Sequence, residues 1–580
     1  MMSSKSAALA FLLCLHSPSA SGSEVSAELR RASEFGKSAP SLITENVVRP
    51  YWSADASSLI YQVNTGRGEY QFLQVNPTSG AKSPAFDHDR FARALAKATH
   101  QATDPNKLPL DQLELASDGQ SLEFRAFGKS WNYSESNPTI SPSAKPPREA
   151  RLLAPEVASR GTRRNGPATS LTLENGTPGE IEMFWVADDG ERKFYGKLAP
   201  GQTANQQTYA GHVWLVTDAN GEALAGVETP DFPSLARIIH RVKNPRPPAD
   251  NLSPDGKWRA LILNHNLVIQ PTASGGSITL STDGSEKDGF SHPLRWSPDS
   301  RKIIAFRTPK ITCRQINIVE SSPSDQVQPK LKTIDYAKPG DPISQPLPHL
   351  FDVTNPREIP LDHALFANPW EISDLAWSDD SSEFSFIYNE RGHQVMRLVG
   401  IQSDSGSVRT IFEDRSKTFI DYSQKFFIQR LPATAEILWA SERSGYNHLY
   451  RIDAISGKVK NPITQGNWNV RKVIEVDEKK RQVLLKVVGV DGQDPYHSHF
   501  IRVNFDGSGL TRLTTGDGDH AIDFSPDRKF IIDTWSRVDQ PPVVELRRAD
   551  DGQRVAELAR ADDAALLKTG WCRPERFVAK

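Results

Sequence analysis

The plainest regularity in the chain is a polar turn followed by an apolar or alternating run. An aromatic or apolar residue precedes Ser, a small residue or Pro, Asp, a short polar stretch and then a strand-like segment. The pattern occurs as "YWSADASSLIYQV" (Tyr51 on), "LSPDGKWRALIL" (Leu252 on), "RWSPDSRKIIAF" (Arg295 on), "AWSDDSSEFSFIY" (Ala376 on) and "DFSPDRKFIIDTW" (Asp523 on). "LASDGQSLEFRAF" (Leu115 on) is a weaker copy. Ser and Asp hydrogen-bond back to the local backbone and Pro presets φ, so each copy predicts a hairpin. The strand that follows is apolar or alternating, as in Ile303-Ile304-Ala305-Phe306.

Second hairpins with their own turns lie between these copies, as in "DAISGKVKNPITQG" (Asp453 on) and "NFDGSGLTRLTTGDG" (Asn504 on). Four strands per repeat of roughly 40–50 residues is the signature of a β-propeller blade. The fold class expected is all-β, a β-propeller, and the visible copies support roughly six to eight blades. The Trp or Phe heading each motif is expected to pack between blades.

The rhythm breaks once, between Leu115 and Leu252. Two Pro-rich stretches bracket part of the gap, "SNPTISPSAKPPRE" (Ser136 on) and "NPRPPADNLSP" (Asn244 on). Such segments act as stiff spacers. Between them, short alternating runs are separated by "NGTPG", "ADDGE", "APGQT" and "DANGE" turns, the pattern of a small β-sandwich. The expected organisation is first blades over 45–135, a Pro-rich linker over 136–164, an inserted sandwich over 165–240 and the remaining blades over 245–560.

Composition adds limits. At 580 residues the chain is too long for one core. With 69 Lys and Arg against 71 Asp and Glu, net charge is −2, which gives no reason to expect a nucleic-acid partner. "MMSSKSAALAFLLCLHSPSASGS" has one cation at Lys5, an apolar run from Ala7 to Leu15 and small residues after it. Residues 1–22 therefore read as a signal peptide, with export to a periplasmic or extracellular space. The run is too short to span a bilayer, and no membrane span is expected after cleavage. Beyond it only Cys313 and Cys572 remain, so packed cores rather than disulfides must supply stability.

The inserted segment resembles the β-domain of the von Hippel–Lindau tumour suppressor, through "FWVADDGERKFYGKLAPGQT", "TYAGHVWLVTDA" and "DFPSL" in the same order. That resemblance implies an aromatic pocket for hydroxyproline built from Trp185, Tyr195, Thr208, His212 and Trp214. Thr208 stands where the family has Ser and keeps the hydroxyl. Polar groups left unpaired by plain proline would penalise it against hydroxyproline. Without the resemblance, these residues would read as ordinary core aromatics and a satisfied turn His.

The blade segments resemble the N-terminal region of dipeptidyl peptidase IV and other serine peptidases of the prolyl oligopeptidase (S9) clan. The residues that carry this are "RWSPDSRKIIAF", "TIDYAKPGDPISQP", "FIDYSQKFF", "ASERSGYNHLYRID" and "ITQGNWNVRKV". The resemblance implies eight blades and a propeller that filters peptides for a hydrolase domain. In dipeptidyl peptidases two adjacent Glu, about ten residues before the "WSP" Trp, clamp the peptide amino terminus. Here Glu286 is present and Ser285 stands in the other place. One carboxylate holds an ammonium less firmly than two, so dipeptidyl versus endopeptidase selectivity stays open.

Bond-breaking chemistry is missing from these residues. A clan hydrolase needs G-x-S-x-G on a strand-to-helix elbow. "GKSAP" and "GKSWN" lack the last Gly, and "DGSGL" misplaces it. No H-E-x-x-H, paired C-x-x-C or phosphate loop occurs, so no metal and no cofactor are expected. His363, His393, His448 and His520 read as turn or interblade residues. "TGWCRPERFVAK" (Thr569 on) resembles the family's join into the first hydrolase strand, so 561–580 read as the start of a linker into an absent hydrolase domain.

Two functions follow. One is a non-catalytic, substrate-gating propeller of an S9 peptidase acting on Pro-containing peptides. It would be inactive alone, its hydrolase domain either encoded separately or lost by a frameshift or stop. The other is a standalone exported protein that binds Pro- or hydroxyproline-rich peptides through the sandwich.

Overall fold

The computed structural model describes residues 22–580, except 54, 67, 111, 116–120, 128, 144–148, 154, 156–161, 163–167, 188–189, 231–233, 241–250, 274, 578 and 580. The expected signal peptide lies outside these residues but for Gly22, which opens a helix running to Ser38. No described helix is long and apolar enough to cross a membrane.

The fold is all-β: a β-propeller with an inserted sandwich. Eight antiparallel sheets are its blades, spanning 48–84, 112–142, 258–279, 288–359, 369–415, 428–462, 469–512 and 519–560. Seven have four described strands and the third has three. Two compact units divide the chain: residues 1–242 with 512–580, and residues 243–511.

The Ser-x-Asp motif does the same work in five blades. In blade 4, Ser297 Oγ donates to Asp299 Oδ1 (2.6 Å) and accepts from the Lys302 N–H (2.9 Å). Asp299 Oδ1 also accepts from the Arg301 N–H (3.1 Å). Ser53–Asp55, Ser253–Asp255, Ser378–Asp380 and Ser525–Asp527 repeat the Ser-to-Asp bond. The residue after each Asp takes a left-handed φ: Ala56, Gly256, Ser300, Ser381 and Arg528. Side-chain bonds to the turn backbone make that conformation tolerable for non-glycine residues.

In the 243–511 unit these turns also join blades. The Asp255 N–H donates to Ser300 Oγ and the Asp299 N–H to Ser381 Oγ, both at 3.0 Å. The motif tryptophans bridge the same gaps. Trp296 Nε1 donates to the Asn251 carbonyl (3.2 Å) and Trp377 Nε1 to the Arg295 carbonyl (3.1 Å). Apolar cores fill the spaces between blades 3 and 4, 4 and 5, 5 and 6, and 6 and 7. With the Ser-x-Asp turns together at one rim, the opposite rim gathers the starts of first and third strands and the ends of second and fourth.

In the other unit, blade 8 packs on blade 1 through Leu59, Tyr61, Val63, Ile532, Val544 and Leu558. Tyr61 Oη donates to the Leu558 carbonyl (3.1 Å), and Thr44 bridges Asp562. Blades 1 and 2 share a core with a helix, His88–Thr99, that turn and strand patterns did not foretell. Its signals are local. Asp87 caps it by accepting the Arg90 N–H, and Phe91, Ala92 and Leu95 lie on one face.

The sandwich has a three-stranded sheet, Thr203–Tyr209, Ala168–Asn175 and Ser234–Ile238, in that order. The second sheet runs Arg192–Leu198, Ile181–Val186, Val213–Asp218, Ala223–Glu228 and Leu152–Leu153. The expected linker over 136–164 is therefore part strand. Ile140–Pro142 completes blade 2 by pairing with Trp131–Tyr133, and Leu152–Leu153 adds to the sandwich. Within 561–580, Ala564–Leu567 is a short helix with Leu566 buried. Cys313 and Cys572 are free.

Candidate functional site

The five residues expected to form a pocket meet at one end of the sandwich. Trp185 and Trp214 are direct partners on neighbouring strands, so their rings emerge on the same face. Trp214 is 2% exposed, part of the sandwich core. A bulge in the edge strand, between the partners of Met183 and Phe184, makes Tyr195 the extra residue. It stands 50% exposed, with its ring edge-on to Trp214 at 4.9 Å.

Thr208 links the polar groups. Trp214 Nε1 donates to Thr208 Oγ1 (3.3 Å), and Thr208 Oγ1 lies 3.2 Å from His212 Nδ1. A hydroxyl can accept from the indole and donate to Nδ1, which leaves Nε2 as the protonated nitrogen. His212 sits in the turn after Tyr209, where its N–H donates to the Tyr209 carbonyl (3.0 Å). The Trp185 and Tyr209 rings each lie 5.2 Å from the imidazole. Burial lowers the His212 pKa and favours the neutral ring. Trp185 Nε1 is buried without a hydrogen-bond partner. The result is an aromatic box with a neutral His, a hydroxyl and an unsatisfied indole donor.

Glu286 is elsewhere, in the loop entering blade 4, on the rim opposite the Ser-x-Asp turns. Its side chain is 79% exposed and ion-paired with Lys310 at 3.4 Å. Its acidic neighbours are paired as well: Arg307 holds Asp283 (2.5 Å) and Asp288 (3.0 Å). The Arg307 bond holds the Asp283 carboxyl below its ordinary pKa. An incoming ammonium would have to compete with Lys310 for Glu286.

Of the four histidines expected as turn or interblade residues, His448 and His520 are buried in blades. His448 contacts Thr464 Oγ1 (3.0 Å) and the Gly466 carbonyl (2.9 Å), and His520 contacts Asp533 (2.7 Å) and the Gly516 carbonyl (2.9 Å). His363 opens a short 3₁₀ turn. Among the described residues no His, Cys, Asp or Glu group could hold a metal ion. His393 belongs to a second aromatic group, with Trp370, Phe419 and Tyr422, beside a cavity on the same rim as Glu286. Phe419 and Tyr422 fall in the "FIDYSQKFF" segment and His393 among the expected turn residues, but no motif joins them to one another or to Trp370.

A family model for the "Dipeptidyl peptidase IV (DPP IV) N-terminal region" matches residues 236–542. The chain belongs to that family. A model for the "VHL beta domain" matches residues 162–229, the stretch that supplies all five box residues. Among solved structures, this dipeptidyl peptidase IV N-terminal region chain is similar to Porphyromonas gingivalis dipeptidyl peptidase 4. Identity is 17% and the TM-score 0.39, over 93% of this chain and 62% of that one. It is also similar to a Bacteroides ovatus protein described as a dipeptidyl aminopeptidase IV, at 13% identity and TM-score 0.36, over 87% of this chain and 59% of that one. The chain thus spans about three fifths of the length of these two proteins.

Proposed function

We propose that this chain recognises proline-containing peptides for an S9-type serine peptidase in an exported compartment. The sandwich box selects the proline or hydroxyproline ring, the blades gate access, and hydrolysis falls to a domain outside these 580 residues. The observation that carries the reading is the convergence of Trp185, Tyr195, Thr208, His212 and Trp214 in a chain of the dipeptidyl peptidase IV N-terminal family. An aromatic box suits the flat, apolar proline ring, and the Thr208–His212 pair offers a partner to a ring hydroxyl.

The second reading, a free-standing binder, shares the box and differs in needing no hydrolase. Calorimetry with hydroxyproline and proline versions of one peptide tests the box. Tighter binding of the hydroxylated peptide supports it, and equal or absent binding removes it. Hydrolysis of a Xaa-Pro chromogenic substrate by the purified chain would overturn the non-catalytic assignment. A weak role for Glu286 predicts that Glu286→Gln changes peptide affinity little, because Lys310 already occupies the carboxylate.

A further inference from the structure

The edge strand of the sandwich, Arg192–Leu198, brings one more residue to the box. Lys193 is the direct partner of Trp185 on one side, as Trp214 is on the other. Side chains of direct partners share a face, so Lys193, Trp185 and Trp214 form one row across the sheet. Lys193 is exposed, and its Nζ stands 5.3 Å from the centre of the Trp185 ring. Among the described residues it pairs with no carboxylate. Lys197, farther along the same strand, shows the contrast: Glu180 and Glu182 hold it at 3.2 and 2.9 Å. An aromatic face attracts an ammonium through its quadrupole and leaves the positive charge intact. The box thus has a positioned, uncompensated cation at its open edge.

The box is rich in donors in other ways. Trp185 Nε1 is buried without a hydrogen-bond partner. His212 has its Nδ1 against Thr208 Oγ1, which leaves Nε2 as the protonated nitrogen. The box therefore offers an indole N–H, an imidazole N–H and an ammonium. A ring hydroxyl can accept from a neutral donor, but it leaves the ammonium uncompensated. A carboxylate supplies the charge and a short, charge-assisted hydrogen bond together. Lys193 lies at a sheet edge in contact with water, so forming that pair costs little desolvation.

We propose that the box takes a proline or hydroxyproline ring with a carboxylate beside it, that Lys193 sets this preference, and that the carboxylate is the ring's own, at a peptide carboxyl terminus. This rests on the reading of the box given above and names the form of ring it takes. An acidic side chain on the next residue would also offer a carboxylate, but it must give up rotamer freedom to reach Lys193. The ring's own carboxyl is bonded to the ring and has no such freedom to lose. Hydrolysis on the carboxyl side of proline is the class of reaction that supplies this ligand, which makes the box a site for a product of proteolysis.

The test is calorimetry of the full chain with three ligands: acetyl-Ala-Ala-hydroxyproline as the free acid, the same peptide as its carboxamide, and the carboxamide with Asp added after hydroxyproline. The free acid should bind about tenfold more tightly than the carboxamide. Lys193→Met keeps a side chain for the Trp185 ring and removes the charge; it should abolish that difference, which Lys193→Arg should keep. Raising salt from about 0.05 to about 0.5 M should shrink it. Lys193 is exposed on an edge strand, and thermal melts check that each variant folds. Equal affinity for acid and carboxamide overturns the proposal and leaves ring recognition standing. A preference for the acid that survives Lys193→Met overturns the assignment to Lys193. Tighter binding of the Asp carboxamide without a gain for the free acid overturns the terminal source and makes the ligand an internal ring with an acidic neighbour. Free-acid binding unchanged by His212→Ala lies outside the box and overturns the proposal. No binding of any of the three removes the reading of the box itself.

Discussion

Thr208 is the residue on which the sandwich box turns. It is 5% exposed, and its single hydroxyl contacts both Trp214 Nε1 and His212 Nδ1. Thr208→Val keeps the shape and removes the hydroxyl, leaving a buried indole N–H without its acceptor. The expected cost is about 1–2 kcal/mol, read by urea unfolding, with Thr208→Ser close to the parent. The same variant should erase any preference for hydroxyproline over proline, and a preference that survives would remove Thr208 from the role. At this scale the site was legible only through the resemblance. Hydrophobicity alone files Trp214 as core, and core is what it is; its polar edge makes it part of the proposed site. The converse holds for Glu286. Its position could be counted from Trp296, but Lys310 lies on the far side of a hairpin, and only pairing of the strands Asp288–Trp296 and Lys302–Pro309 brings it near.

Among elements, the Ser-x-Asp hairpin is the best-written feature of the chain. All five full copies read from the sequence form the same turn, because the bonds that define it are local. Ser297 is fully buried and bonds both Asp299 and the Lys302 N–H. Ser297→Ala should destabilise by about 1–2 kcal/mol in denaturant unfolding, since the buried Lys302 N–H loses its bond to Oγ. An unchanged midpoint would show that the turn is held by its backbone alone. Elements that depend on distant partners were less legible. Ile140–Pro142 has prolines nearby and too few residues to show a period, and it becomes a strand because Trp131–Tyr133 offers an edge. The helix His88–Thr99 was hidden by an expectation of uniform blades, although its cap and apolar face were written locally.

For the molecule as a whole, the histidines make stability sensitive to mild acid. Burial lowers the pKa of His88 and His212 in one unit and of His363, His393 and His448 in the other, each from 6.5. A lowered folded pKa means the folded state binds protons less readily than the unfolded chain. Above pH 6.5 both states carry neutral rings and this contribution is fully present. As pH falls below 6.5 the unfolded chain is protonated first, and stability drops until the lowered folded values are passed. A second window opens lower. Hydrogen bonds led by Ser53 hold Asp55 at about 2, and those led by Ser378 do the same for Asp380, against 3.8 for the free group. Burial pushes Glu436 up, but Lys460 and Arg481 outweigh it and bring it to about 2, against 4.5. Their stabilisation is present above those free values and is lost as pH falls towards 2. Thermal melts should therefore be level from pH 8 to 7, decline by about 5 °C or more between pH 6.5 and 5, and steepen below pH 4. Because the histidines divide between the two units, any separate transitions should move down together in the first window. A melting temperature constant from pH 7.5 to 5 would mean that these rings gain in the fold, when charged, what burial takes away.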